Sequence, residues 1–387
     1  MPPSERNYDV VVIGAGVFGA WTAYYLRKAG ASVLLLDAYG PANSRASSGG
    51  ESRIIRMGYG SDEIYTRWSM NALPKWKELC AQAGRPELFQ PTGVLWIAHE
   101  NDKIALATMT TLDRVASRFE KLSLAQMIER YSAFSFEHDC WGIFEPDSGV
   151  LMARRAVHTV VDEAQKSGVA YANDQVRPPT ARGIKLDQIT TRDGENYSAG
   201  TFVFACGSWL GKIFPDILGS RVFPSRQEVF FFGVPAGDRR FAPPQMPTWL
   251  KQRDEFYGMP DLENRGLKIA HDRHGPAVDP DTQSRTPTAE AIALAKQYVA
   301  RRFPNLRDAP IVEARVCQYE NTSSGDFLID RHPQMENVWL VGGGSGHGFK
   351  HGPSVGEYTA AHVLNGAGVD PRFSLATKEL VQHRAVF

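Results

Sequence analysis

Gly14-Ala15-Gly16-Val17-Phe18-Gly19 lies between an apolar run and a helix-forming stretch, and Asp37 stands 23 residues after Gly14. Glycines at this spacing let the backbone turn tightly and come close to a pyrophosphate. The helix that follows offers unpaired N–H groups and the positive end of its dipole. Asp37, at the end of the next apolar run, can accept hydrogen bonds from a ribose hydroxyl, which disfavours a 2′-phosphate and so NADP. The pattern predicts a dinucleotide site, open to FAD and NAD alike. The alternative is a glycine turn that only packs a helix onto a sheet.

Three further stretches could carry chemistry. Ser47-Ser48-Gly49-Gly50-Glu51-Ser52-Arg53-Ile54-Ile55-Arg56 sets two arginines three apart after a run of small residues. Small residues admit a flat ligand close to the backbone, and an arginine can clamp a carboxylate with two parallel donors. From spacing alone, Arg53 and Arg56 read as surface arginines at a helix start. Gly342-Gly343-Gly344-Ser345-Gly346-His347-Gly348-Phe349-Lys350 precedes a helix, where a glycine loop stabilises negative charge such as that of a reduced flavin. A flexible surface loop is the plainer account. Cys317 sits in Arg-Val-Cys-Gln-Tyr-Glu-Asn-Thr, and by composition a lone cysteine beside a strand reads as an inert buried residue, as do Cys80 and Cys206.

The elements that must position these groups are legible in part. Asp9–Ile13 reads as a buried strand, followed by a helix to Ala29 with Gly30 as its terminator, and then by a strand over Ser32–Leu36 ending at Asp37. That is a β-α-β unit with parallel strands and a right-handed crossover. Helices are predicted over 66–82, 123–131, Ala153–Ser167, Thr288–Arg302 and from Ser354. Strands are predicted over Gln90–Ala98, Thr201–Ala205, Gln227–Gly233, Phe256–Pro260, Leu267–His271 and Val338–Val341. The chain therefore reads as an interleaved α/β architecture with the nucleotide-binding part built from separated stretches.

Composition narrows the function classes. With 387 residues, two domains are expected. Lys plus Arg and Asp plus Glu are 43 each, which argues against a nucleic-acid binder held by bulk charge. A hydrophobic content of 43% argues against disorder. Four cysteines without a CxxC pair suggest neither a disulfide scaffold nor a zinc site, so no metal is expected. Val10–Leu26 carries no charge, but Glu5, Arg6 and Asp9 precede it and glycines interrupt it, so neither a membrane span nor a signal peptide is expected. A cytoplasmic protein is the expectation.

Taken together, five segments in order resemble one family: the monomeric sarcosine oxidase and N-methyltryptophan oxidase group of FAD-dependent amine oxidases, with pipecolate and fructosyl-amino-acid oxidases as further kin. They are GAGVFG with LLLDAYGP, SSGGESRIIR, YGMP through GLK at Tyr257–Lys268, CQYENT with FLID, and GSGHGFKHGPSVGE. The resemblance implies an α/β fold with an α+β substrate part, in which a Rossmann-like FAD-binding domain (1–85, 145–215, 317–387) interleaves with a mixed-sheet substrate domain (86–144, 216–316). It implies FAD joined by a thioether to Cys317, and it carries Gly14, Ala15, Gly16, Val17, Phe18, Gly19, Asp37, Ala38, Ser47, Ser48, Arg53, Val176, Gly207, Trp209, Gly344, Gly346, His347, Gly348, Phe349 and Lys350 to the cofactor. Lys268 then matches a lysine on the oxygen side of the flavin, Arg53 its neighbour by the ring, Arg56 and Lys350 the pair that grips the substrate carboxylate, and Tyr257 a pocket aromatic.

The activity so implied is oxidation of a secondary or N-substituted α-amino acid. Hydride passes to flavin N5, the imine hydrolyses, and oxygen is reduced to hydrogen peroxide. The expected partners are this amine and oxygen, with no nucleic acid, no membrane and a monomeric chain. Where sarcosine-specific members carry histidines, Ser48, Gly49 and Asp272 stand here, which turns the reading away from sarcosine itself. Asp272 reads as a solvated loop carboxylate. The alternatives are a flavin amine dehydrogenase with another acceptor, a fructosyl-amino-acid oxidase, a colourless NAD dehydrogenase, and a non-catalytic flavin-bound subunit.

Overall fold

The apolar runs flanking the first glycine turn pair as parallel strands, with Val10 opposite Val33 and Ile13 opposite Leu36. A computed structural model describes residues 6–180, 183–366 and 368–383. Its first sheet runs in the order Leu328–Arg331, Val338–Gly342, Asn196–Phe204, Arg6–Ile13, Val33–Asp37, Ala170–Asn173, with Gln188–Thr190 added beside Asn196–Phe204. The inner strands are parallel and buried on both faces, which is why they read as continuous Val, Ile, Leu and Phe runs. Helices Val17–Lys28, Ala153–Lys166 and Gly352–Asn365 pack together on one face. Gly356 lets two of them meet closely, since an added Cβ would stand 2.6 Å from Trp21.

The second sheet runs Ile311–Asn321, Phe223–Phe232, Leu267–His271, Phe256–Met259, Thr248–Lys251, Val94–His99, Cys140–Glu145, Glu120–Leu122. It is mixed, because Thr248–Lys251 runs parallel to Val94–His99 while the other pairs are antiparallel. Helix Ala289–Arg302 covers one face through Ala295, Tyr298 and Val299, packed with Phe230, Phe232, Phe256, Leu267 and Ile269. Side chains alternate across a strand, so Lys268, Tyr257, Cys317 and Tyr319 project from the opposite face, toward the first sheet. A small third sheet joins Arg53–Ile55, Gly149–Leu151 and Phe89–Gln90.

Several expectations change. Arg53 and Arg56 do not start a helix: Arg53–Ile55 is a strand paired with Gly149–Leu151, and Arg56 is 4% exposed. The β-branched Ile54 and Ile55 favour the extended form there. The boundary expected at 317 falls inside Ile311–Asn321, one unbroken strand hydrogen-bonded to Phe223–Phe232. Helix Lys103–Arg114 and strand Cys140–Glu145 were not anticipated. Among the described residues, no helix is long and apolar enough to cross a membrane.

Candidate active site

Of the first three glycines, two serve the fold and one does not. Gly14 has φ +107°, and a Cβ there would lie 2.3 Å from the Ala205 carbonyl oxygen. A Cβ at Gly19 would lie 1.8 Å from the Gly14 carbonyl oxygen. Gly16 has ordinary extended backbone, and its Cβ would meet only Ser48 Oγ at 3.5 Å. Packing therefore does not require glycine at 16; an incoming ligand would. We expect Gly16→Ala to leave the melting temperature of the flavin-free protein unchanged while weakening FAD binding by roughly 10–100-fold. Gly14→Ala should instead lower the melting temperature itself. Titration with FAD and thermal melting distinguish the two outcomes.

Beside this turn lies a cavity that opens to solvent and is lined by both glycine loops. Gly14, Gly16, Val17, Phe18, Asp37, Ala38, Ser47, Ser48, Val176, Gly207, Trp209, Arg53, Gly344, Gly346, Gly348 and Phe349 line it. Asp37 is tied down by the N–H groups of Ala15 at 2.7 Å and Tyr39 at 2.9 Å. Burial still leaves its carboxyl above the usual range, against the pull of those N–H groups. Ser48 Oγ accepts the Val17 N–H at 3.1 Å, at the start of helix Val17–Lys28.

The remaining assigned residues lie elsewhere. Ala15 is fully buried behind the turn, and Gly19 packs the helix onto it. His347 and Lys350 line a second cavity, together with Arg56, Leu250, Tyr257, Met259 and Asp272. Cys317 lines a third, with Lys268, Arg315, Glu51 and His271. Arg53, Tyr319 and Gly346 border all three cavities.

The second cavity concentrates positive charge. Arg56 lies under the rings of Tyr59 and Trp96, at 4.4 and 4.7 Å from their centroids, and donates to the Gly58 carbonyl oxygen. Among the described residues it makes no ion pair. Its loop is held by the buried Glu145, which accepts the N–H groups of Met57 (2.6 Å), Gly58 (3.1 Å) and Trp96 Nε1 (2.7 Å). Lys350 Nζ donates to Tyr59 Oη at 2.5 Å and to the His347 carbonyl oxygen at 2.9 Å. Tyr59 Oη also meets His351 Nε2 at 2.8 Å. Burial, then Lys350 and Arg56, hold His351 well below its usual range. Asp272 does not stand free on a loop: it lines the cavity and accepts the Tyr319 hydroxyl at 2.9 Å. Burial, reinforced by Asp272, pushes the Tyr257 phenol up to about 12.

Across from it, Lys268 is 2% exposed and donates to Ser52 O at 2.9 Å and Ser52 Oγ at 3.2 Å. Burial, then the nearby Arg53 guanidinium, set its ammonium well below the usual range. Arg53 reaches Ser52 O at 2.9 Å, Ser47 O at 2.6 Å and Cys317 Sγ at 3.8 Å. Among the described residues, one trio of metal-ligand types converges, His99, Glu137 and Cys140. Lys251 Nζ sits 2.8 Å from His99 and from Glu137, so an ammonium already takes that ground.

The family model for FAD-dependent oxidoreductases matches residues 9–362. The chain belongs to that family. It is 28% identical to the monomeric sarcosine oxidase of Bacillus sp. (strain NS-129), over 94% of each chain. It is 30% identical to the N-methyl-L-tryptophan oxidase of Escherichia coli (strain HS), over 92% of this chain and 94% of that one. Its fold matches a fructosyl peptide oxidase from Aspergillus nidulans with a TM-score of 0.84 at 18% identity, covering 98% and 96% of the two chains.

The first cavity fits FAD on its own atoms. Besides the open backbone at Gly16, Ser47 Oγ, Ser208 Oγ and Glu320 Oε2 are buried without a hydrogen-bond partner among the described residues, and all three residues line it. Buried polar atoms are rarely left so, and a polar ligand would satisfy them. Ser208 and Glu320 escape sequence reasoning. The one available signal at Glu320 is an acid inside a strand that also carries Cys317 and Tyr319.

Proposed function

We propose that this enzyme is an oxidase of secondary or N-substituted α-amino acids, with FAD linked through Cys317 and oxygen as the electron acceptor. One observation carries the reading. Three cavities meet at Arg53, Tyr319 and Gly346, with two buried cations on one side of the junction and a third on the other. A flat ring at the junction would be reached by substrate from the Arg56 side and by oxygen from the Lys268 side. Bound there, FAD supplies the hydride acceptor for the amine and the electrons that turn oxygen into hydrogen peroxide.

The chain's own residues do the rest. Arg56 and Lys350 hold the substrate carboxylate, which fixes the α-carbon and nitrogen in one orientation. Tyr257, Leu250 and Met259 line the pocket around the amine. The neutral amine is the reactive form, and burial beside two cations disfavours its protonated form. Lys268 and Arg53 face negative charge as it forms on oxygen. The relatives' printed names support the substrate class: both oxidise N-methylated amino acids. The proposal extends to a monomer in the cytoplasm, the former in line with the Bacillus relative's name.

Acid precipitation of the purified protein tests the linkage. Yellow colour should stay with the precipitate, and Cys317→Ala should release it to the supernatant. Colour released from the unaltered chain would refute the thioether. A panel of N-alkyl and cyclic amino acids, read by peroxide release, tests the activity. Flavin reduction without oxygen uptake would instead favour a dehydrogenase.

A further inference from the structure

The first cavity contains a carboxyl that the reaction above does not use. Glu320 is 8% exposed, near the end of strand Ile311–Asn321. Its Oε1 accepts the Gly344 N–H at 3.2 Å, while Oε2 is buried with no partner among the described residues. Three glycines surround it. A Cβ would stand 3.2 Å from Oε2 if added at Gly207 and 3.7 Å if added at Gly342, and 3.3 Å from Oε1 if added at Gly344. Gly207 and Gly344 belong to the loops that follow two neighbouring parallel strands, Asn196–Phe204 and Val338–Gly342. Both loops and Glu320 line the same cavity as Asp37 and Tyr319.

No lysine or arginine pairs with this carboxyl among the described residues. Burial raises it to about 7, and only the Gly344 N–H opposes that rise. A protonated carboxyl offers one O–H donor alongside its acceptor oxygen. In FAD, the segment between the adenine ribose and the isoalloxazine ring presents hydroxyl and phosphate oxygens and no apolar ring.

We propose that Glu320 is a cofactor-binding residue whose open carboxyl oxygen hydrogen-bonds to an oxygen of the ribityl–pyrophosphate chain of FAD. A carboxylate would repel the phosphates, whereas a neutral acid donates to them or to a ribityl hydroxyl. The proposal depends on FAD binding and not on the substrate, so a failed amine panel leaves it intact.

The test uses the full chain carrying Cys317→Ser, so that FAD exchanges reversibly. In that background, Glu320→Ala should weaken FAD binding about tenfold, and Glu320→Gln, which keeps a donor and an acceptor in the same shape, no more than about threefold. The melting temperature of the flavin-free protein should change little in either variant. The infrared difference between FAD-bound and FAD-free protein should show a shifted carboxylic C=O band that Glu320→Gln abolishes. Binding by Glu320→Ala within about twofold of its parent would overturn the proposal. So would a stability loss equal with and without FAD, or an infrared difference that Glu320→Gln leaves unchanged. If Glu320→Ala does not fold, Glu320→Gln and the infrared band decide.

Discussion

Lys268→Met is expected to slow reoxidation of the reduced enzyme by oxygen roughly 100–1,000-fold, the range for removing one group aimed at developing charge, while reduction by substrate changes only a few-fold. The strand Leu267–His271 fixes the lysine between Leu267 and Ile269, which are locked under helix Ala289–Arg302, and Ser52 holds its ammonium in place. Its environment, dry and next to Arg53, already opposes the charge. The proton is therefore retained most strongly when negative charge arrives beside it, which is when an electron reaches oxygen. Met keeps the length of the side chain without the charge. Stopped-flow measurement of the two half-reactions separately gives the answer. Equal loss in both would remove Lys268 from the oxygen step.

Arg56→Met should lower kcat/KM for amino-acid substrates by about 150–5,000-fold, the loss expected when one partner of a desolvated charge pair is removed, roughly 3–5 kcal/mol. The guanidinium is buried against Tyr59 and Trp96 and pairs with no carboxylate among the described residues. In the proposed reaction, a substrate carboxylate supplies that missing charge. The discriminating measurement compares an N-alkyl amino acid with the corresponding amine lacking the carboxylate. The amine should react poorly with the unaltered enzyme and lose little more in the variant. If both substrates lose activity alike, Arg56 acts on the fold or the cofactor instead.

The two ends of the legible spectrum have clear physical causes. The β-α-β start could be read because its strands are buried on both faces and because Gly19 answers to a local clash with the Gly14 carbonyl, whereas the clash that fixes Gly14 is with the distant Ala205. Thr288 caps helix Ala289–Arg302 through the Ala291 N–H, again a local signal. Arg53 and Arg56 were misread because their burial comes from partners far along the chain, Gly149–Leu151 and Trp96. Asp272 looked solvated for the same reason, since the hydroxyl that meets it belongs to Tyr319, on another strand of the second sheet. Glu320 gave no warning because its isolation follows from three glycines in two distant segments of the chain.

The order of strands in the first sheet also has a consequence for synthesis in the cell. Arg6–Ile13 is flanked by Val33–Asp37 and by Asn196–Phe204, and the second glycine loop lining the cavity follows Val338–Gly342. A ribosome must therefore translate past Phe349 before a complete berth for the coenzyme exists. Nascent chains halted earlier should emerge unpigmented.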